Sequence, residues 1–568
     1  MQRHSIAFTT GTILILTITL CFVFAAVFYM IGCGINATVL PISCIVATMF
    51  VSRSNTWSRI CLSALVAVLV WALCAYICTV LYDSSCDGNW YHMEIVANLF
   101  NGWNPYRNPS GIVSYELWAE HYSKAMEMVG ACLMMITQRI QSSKAVMPVL
   151  AIGLLLILPT FIRQITPQIT RKQSVLLSLL VVSNPVLVCQ MLRFYIDDVV
   201  YICVVLAIVS SVLIAINDRR ALLPYTFMAA SIILAAGTKA NALVYVVFVI
   251  ICALVGRLIY GKKQRIMEYA LFCLIVGLIA VFGICYHPYI TNWLNNGHPL
   301  FPLMGEGAVD IMTGNTPEEL LRNNRFVNFF ISVFSFSRPS VDTRSGGFTP
   351  TFVLLFPLAL VLLSYYCVKG RRSMSPFVYV GICVLISCFI FEQSWWARYV
   401  PQLWLLVPLT AYVLMLNSVG RAMKCVRSIF VVLGIITGAV CCMTTYLGTL
   451  RYTLRTKNTF KVLDGRSLPI FAGEPQTVRM LEENGFTVVE YPWTDITDVR
   501  KDSVMFDSVM YEAMVGHTEW NKVLTAPEDA RLDSMLRSNK FYKYGVAVRR
   551  FIGKDDDIPF YNSDPVVD

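Results

Sequence analysis

Long apolar runs separated by short polar breaks recur over most of the chain. The segments 13–29, 145–162 and 240–256 are each long enough to cross a hydrocarbon layer, which takes roughly 17–25 residues. Runs of this kind predict about 13 spanning helices, centred near Leu20, Cys44, Val70, Leu154, Leu180, Leu206, Ala229, Phe248, Ile275, Ala359, Val384, Leu406 and Gly434. The runs at Cys44, Leu180 and Ala229 are the weakest of them. From about Lys457 the pattern changes to that of a soluble chain. Segments 468–472 and 486–491 read as strands, and 477–484 reads as a helix stopped by Gly485. Further on, 530–539 looks helical and 544–551 strand-like. The expected fold is an α-helical polytopic membrane protein, with a transmembrane domain over 1–455 and a small extracytoplasmic α/β domain over 456–568.

Composition supports the membrane class. The chain is 57% apolar and 14% charged, against roughly 45–50% and about 25% for a soluble domain. The first apolar run is too long for a signal peptide and reads as a retained first span. The net charge of +10 does not mark a nucleic-acid protein, because no basic stripe interleaves with aromatics. Instead Lys and Arg gather around Arg53–Arg59, Arg163–Lys172, Arg219–Arg220, Lys262–Arg265, Lys369–Arg372 and Arg421–Arg427. These clusters fall on alternate loops, together with Arg3, so the positive-inside rule puts them in the cytoplasm. The complementary loops then face outward, above all 83–144 and 286–349. The cysteines lie mostly in apolar runs and read as small core residues, not as a disulfide framework.

The first large loop carries the densest chemistry. Asp83-Ser-Ser-Cys-Asp87-Gly-Asn-Trp-Tyr91-His92-Met-Glu94 follows a span directly. A short interfacial helix over 91–100 is expected, then a turn at Asn104-Pro105, then a second interfacial helix over 113–141. A carboxylate at the membrane edge can take the proton from an incoming hydroxyl, and either Asp87 or Asp83 is placed to do so. The alternative is that Asp87 caps the following helix. His92 binds phosphate or shuttles a proton, unless it is an ordinary hydrogen-bonding residue.

Other charges stand at membrane depth, where they are costly and face a cavity or one another. In Arg193-Phe-Tyr-Ile-Asp197-Asp198, Arg193 pairs with one acid, or one of the acids positions an acceptor or a divalent ion. Lys239 either snorkels to the interface or meets a phosphate. Arg398 follows Glu392-Gln-Ser-Trp395-Trp396-Ala and suits phosphate oxygens, with Glu392 as the competing partner. The loop 286–349 is too long for a simple connector. No metal-ligand spacing joins His92, His121, His287 and His298, so zinc is not expected and any other metal stays unknown.

An Asp just after an early span, the Tyr91-His92 pair and the closing Gly102-Trp103-Asn104-Pro105-Tyr106 resemble the first outer loop of the GT-C superfamily. Asn292-Trp293, Gly297-His298-Pro299-Leu-Phe-Pro302 and Arg398-Tyr399-Val-Pro401 resemble stretches of its bacterial members. The resemblance covers roughly the first 450 residues in topology. It implies an integral-membrane glycosyltransferase that uses a polyprenyl-phosphate sugar, with Asp87 as catalytic base. Arg398, Lys239 and His92 would then face the donor phosphate, and Asp197, Asp198, Glu94 and Tyr91 would position the acceptor. Many members carry two adjacent acids where this chain has Asp87-Gly88, so Asp83 or Glu94 is a possible second contributor.

The expected function is inverting sugar transfer at the outer face to a glycan, lipid or protein hydroxyl. The sequence assigns no cofactor with certainty, and a divalent cation is compatible with it. The expected partners are the lipid-linked donor, the acceptor and membrane lipids, and the expected site is a bacterial inner membrane. The alternatives are a glycan polymerase or ligase, or a lipid-linked-glycan flippase.

Overall fold

The computed structural model describes residues 5–490, 504–507 and 512–515, apart from 53–54, 111–115, 218–221, 262, 311, 337–339, 341, 343, 369–374, 418–419, 465–469 and 473–474. The expected helix at 530–539 and strand at 544–551 lie outside the described residues.

The chain is a helical membrane protein. Among the described residues, eight helices are long and apolar enough to cross a membrane: Ile6–Met30, Trp57–Val80, Ile140–Ile165, Asp197–Ile216, Ala240–Ile259, Ile266–Ile284, Pro350–Val368 and Arg421–Leu454. The centres expected from sequence all fall in helices, but five of those helices are shorter: Val39–Ser52, Arg171–Val182, Leu222–Thr238, Ser375–Ser387 and Leu406–Asn417.

Two helices, Ile6–Met30 and Asp197–Ile216, form the middle of the bundle and are mostly buried. Close approach needs small residues, since lipid offers no hydrophobic drive between helices. A Cβ on Gly11 would lie 2.7 Å from the Gly153 carbonyl, so both positions must stay bare where the first helix crosses Val146–Ile165. Two hydroxyls buried in the first helix are met by its own backbone, Thr12 donating to Phe8 O at 2.8 Å and Thr19 to Ile15 O at 3.0 Å, while Thr10 donates to Ser63 O of Trp57–Val80 at 3.3 Å.

One break in the bundle shapes the end that carries the charged residues. Arg171–Val182 ends, Asn184 caps the next helix by accepting from Val186 N at 2.8 Å, and Pro185 opens that helix, Pro185–Gln190. Because this second helix is only six residues long, the segment Arg193–Phe194–Tyr195 crosses one end of the bundle before Asp197–Ile216 begins.

The first large loop does not form two interfacial helices as expected. It makes a π-helical turn (Gly88–His92) continuing into Met93–Phe100, then Glu116–His121 and Ala125–Thr137, separated at Tyr122–Lys124. Ala125 to Met134 is buried on every side, so this last helix belongs to the core. The second large loop is tied to the first: Asn292 Nδ2 donates to His121 O at 3.1 Å, and Lys124 Nζ donates to His287 Nε2 at 3.0 Å.

After the long helix Arg421–Asp464 come β1 (Ile470–Ala472), a helix (Pro475–Glu483), β2 (Val488–Glu490), β3 (Val504–Asp507) and β4 (Glu512–Val515). The strands form one sheet in the order β2-β1-β3-β4, with β1 parallel to both neighbours and β4 antiparallel to β3. Pro475–Glu483 docks on the first large loop: Gln476 Nε2 donates to Asn89 O at 2.8 Å, and Ile140 N donates to Glu483 Oε1 at 2.7 Å.

Candidate functional site

Four of the charged residues singled out from sequence meet at one end of the bundle, around Arg398. Its Nη2 donates to Asp87 Oδ2 at 3.0 Å. Its Nε lies 3.2 Å from Asp197 Oδ2, and its Nη1 lies 3.2 Å from Asp342 Oδ1. Lys239 Nζ donates to the other oxygen of Asp197 at 2.7 Å. Five separate chain segments supply these groups. A planar guanidinium is suited to this, since its N–H groups fan out in one plane and reach three acids at once.

Aromatic rings enclose the cluster. The guanidinium carbon of Arg398 stands 5.0 Å from the ring centres of both Tyr195 and Trp396 and 5.8 Å from that of Tyr399. Lys239 lies 4.8 Å from the same Tyr399 ring. Trp395 and Trp396 stack at 5.3 Å with their planes 3° apart. Both tryptophans are buried, and they wall the site. Cations held against ring faces gain further when water is excluded.

The helix-cap reading of Asp87 does not hold. Asp87 stands at the start of the π-helical turn, but its side chain caps no backbone N–H. Its carboxylate turns to Arg398 instead, with the Tyr91 hydroxyl at 3.5 Å. Burial first, then the neighbouring Asp87 charge, pushes the Tyr91 phenol well above its ordinary range, so Tyr91 stays protonated and donates. The Asp342 carboxyl is also held above the usual carboxylate range, by burial first and with Asp87 adding, while Arg398 opposes. Burial works against the charge on Arg398, but Asp342, Asp87 and Asp197 outweigh it and keep the guanidinium firmly charged.

Exposure separates the three carboxylates. The Asp197 side chain is 1% exposed, Asp342 13% and Asp87 20%. Asp87 is thus the one an incoming group reaches most easily.

Several expected site residues lie elsewhere. His92 Nδ1 is 2.5 Å from Glu127 Oε1, both groups are buried, and the ring stacks on Phe194 at 5.2 Å. This pair ties the π-helical turn to Ala125–Thr137 and so steadies the neighbouring Tyr91. Asp198 turns away from Arg398: its Oδ1 accepts from Val199 N at 2.7 Å, and its own N–H donates to Gln190 at 3.0 Å. Adjacent helical residues face different ways, which is why only Asp197 joins the cluster. Glu94 is buried in Met93–Phe100 and takes no part in the Arg398 ion pairs. Asp83 accepts from Ser85 N at 2.8 Å and Phe194 N at 2.6 Å, a structural knot with no exposure.

Two pairings weighed from sequence are also replaced. Among the described residues Arg193 makes no ion pair with Asp197 or Asp198; its guanidinium packs beside Gly448. Arg398 binds Asp87, Asp197 and Asp342, not Glu392. Asp342 is the site residue that sequence reasoning missed. It lies in a long loop and borders no apolar run that would mark it.

Among the described residues no group of three His, Cys, Asp or Glu side chains is placed to hold a metal ion. The three carboxylates converge on a guanidinium, and Arg398 and Lys239 supply the balancing charge. Comparisons with family models, with curated proteins and with solved structures find no match for this chain.

Proposed function

We propose that the chain is an inverting glycosyltransferase of the GT-C kind, moving a sugar from a polyprenyl-phosphate donor to a hydroxyl of a glycan, lipid or protein. The observation that carries this is the ion pair between Asp87, the most open carboxylate of the cluster, and Arg398. Carboxylates beside aromatic faces are also the groups that hold a polyol, by accepting from its hydroxyls and stacking on its rings.

The pair gives a proton transfer coupled to charge. The acceptor hydroxyl gives its proton to Asp87 as its oxygen attacks the anomeric carbon, and the bond from that carbon to the phosphate oxygen breaks. Once protonated, Asp87 holds Arg398 less tightly. The freed Nη2 of Arg398 can then meet the charge appearing on the leaving phosphate, a stabilisation that grows only as the reaction proceeds. Lys239 keeps Asp197 neutralised while Arg398 shifts. Tyr91 orients Asp87 throughout.

On this reading the cluster faces out of a bacterial inner membrane, the shorter apolar helices complete about 13 crossings, and residues 456–568 form an extracytoplasmic α/β domain over the first large loop. The test is Asp87→Asn at matched membrane levels, assayed for transfer of labelled sugar from polyprenyl-phosphate donors. A loss of about 100-fold or more is expected for a general base. Full activity of the variant would overturn the assignment.

A further inference from the structure

The helix Arg325–Val333, in the second large loop, is inside out for a helix in water. Its buried positions are Asn328, Phe329, Ser332 and Val333, two of them polar. After Arg325 its outward side is apolar: Phe326 is 51% exposed, Val327 43%, Phe330 51% and Ile331 39%, and Phe334 just beyond is 42% exposed. A surface helix in water turns charged and polar groups outward and hides the apolar stripe. Here the two inward polar groups are already used. Asn328 Nδ2 donates to Leu320 O at 2.9 Å, while Ser332 Oγ donates to Trp395 O and accepts from Gly346 N at 2.9 Å.

The apolar side does not stand alone. Phe330 stacks on Phe334 at 6.4 Å, and Phe334 meets Phe356 of the spanning helix Pro350–Val368 at 6.4 Å. Phe356 is itself buried, so this contact holds the short helix against a span while its own apolar face stays open. The exposed residues of that span, Leu354, Leu358 and Val361 among them, lie on its other side. Two exposed cations, Arg322 and Arg325, sit at the N-terminal end of the short helix, where lipid headgroups would meet them. Nine residues rise only about 13 Å, too little to cross a bilayer.

We propose that Arg325–Val333 is an interfacial anchor, seated in the lipid leaflet at the Arg398 end of the bundle with Phe326, Val327, Phe330, Ile331 and Phe334 among the acyl chains. The occupant of this face is bilayer lipid. Through Ser332 and Leu320 the anchor fixes the height of the Trp395–Trp396 wall relative to the leaflet. The proposal does not depend on the reaction assigned to the site.

The test uses the full chain in phosphatidylethanolamine–phosphatidylglycerol nanodiscs, with p-benzoylphenylalanine in place of Phe330, Phe334 or, as a control, the exposed Asn323. After irradiation, intact-mass measurement is expected to show a shift of one phospholipid at positions 330 and 334 and none at 323. Adduct at 323 equal to that at 330 would overturn the proposal, as would crosslinking of 330 to a second copy or to another protein. Where a probe at 330 prevents assembly, Val327 and Ile331 present the same face and carry the same test.

Discussion

Arg398 and Asp342 are joined at 3.2 Å, and this contact brings the second large loop to a cluster otherwise built from the first loop and the bundle. Asp342 is less open than Asp87, so on the proposed reading its part is to hold Arg398 in place and not to take the substrate proton. Asp342→Asn is therefore expected to lower transfer by about tenfold, the scale of one lost ion-pair contact of ~1.4 kcal/mol. Arg398→Lys keeps the charge but cannot reach three acids at once, and is expected to cost more than Asp342→Asn. Transfer assays at equal membrane levels check both. An Asp342→Asn variant as inactive as Asp87→Asn would move the base role toward Asp342.

Lys239 and Asp197 form a shielded pair of the cluster, with Asp197 only 1% exposed and Lys239 19%. Lys239→Met leaves Asp197 with Arg398 and the Gln190 amide. Breaking a fully buried pair costs roughly 3–5 kcal/mol. The partial exposure of Lys239 reduces that to about 1–3 kcal/mol after solvent screening. Thermal unfolding in detergent should show the drop, and Lys239→Met with Asp197→Asn should recover part of it, because the second change removes the stranded charge. Simple additivity of the two single changes would mean that the pair is not energetically coupled.

Solvent physics decides which features were legible in the sequence. Apolar runs had to become helices, since lipid leaves backbone groups no other partner. Asp87, Asp197, Lys239 and Arg398 stood out because each interrupts or borders such a run, where an isolated charge is costly. Asp342 carried no such mark, since it sits in a loop and borders no apolar run. His92 misled for a different reason. Its partner Glu127 lies on a helix that read as interfacial, and only packing shows that this helix is core and that His92 is bound within it. The apolar runs at Cys44, Leu180 and Ala229 gave the weakest signals, and all three form short helices, the one at Leu180 cut by the Asn184–Pro185 cap.

Lys124 sets a pH dependence of stability. Its ammonium is buried between the two large loops, donating to Tyr122 O at 2.7 Å and to His287 Nε2 at 3.0 Å. Burial pushes it down from its ordinary 10.5 to about 7, with Glu120 and Glu127 opposing. The folded value lies below the unfolded one, so between about pH 7 and 10.5 the unfolded chain binds a proton that the folded chain lacks. Stability from this group therefore falls as pH drops through that window, and is level below about 7. Lys124→Met removes the slope. The melting temperature of the native chain relative to the variant should climb from pH 7 toward pH 10. A difference that stays constant with pH would show that Lys124 is not desolvated as the packing requires.

Gly88 stands where a second acid was the family-based expectation, and the packing explains its absence. A Cβ at this position would lie 2.5 Å from Ser85 Oγ and 2.6 Å from Asp83 Oδ2, atoms that cannot yield because Asp83 is held by Ser85 and by Phe194 N. Any side chain here must push Asp83 off Phe194, and Phe194 is the ring on which His92 stacks. It is also the neighbour of Tyr195, whose ring faces Arg398. Gly88→Ala is therefore expected to cost stability by overpacking, about 1–3 kcal/mol, and to lower transfer although it adds no charge and removes none. Gly88→Asp should do worse, because it sets a second carboxylate against Asp83 in a buried site. Pairing Gly88→Ala with Ser85→Ala opens one of the two close contacts, and a partial recovery of melting temperature would locate the damage there. Wild-type stability and transfer in Gly88→Asp would show that the turn can open, and would return a second acid to consideration beside Asp87.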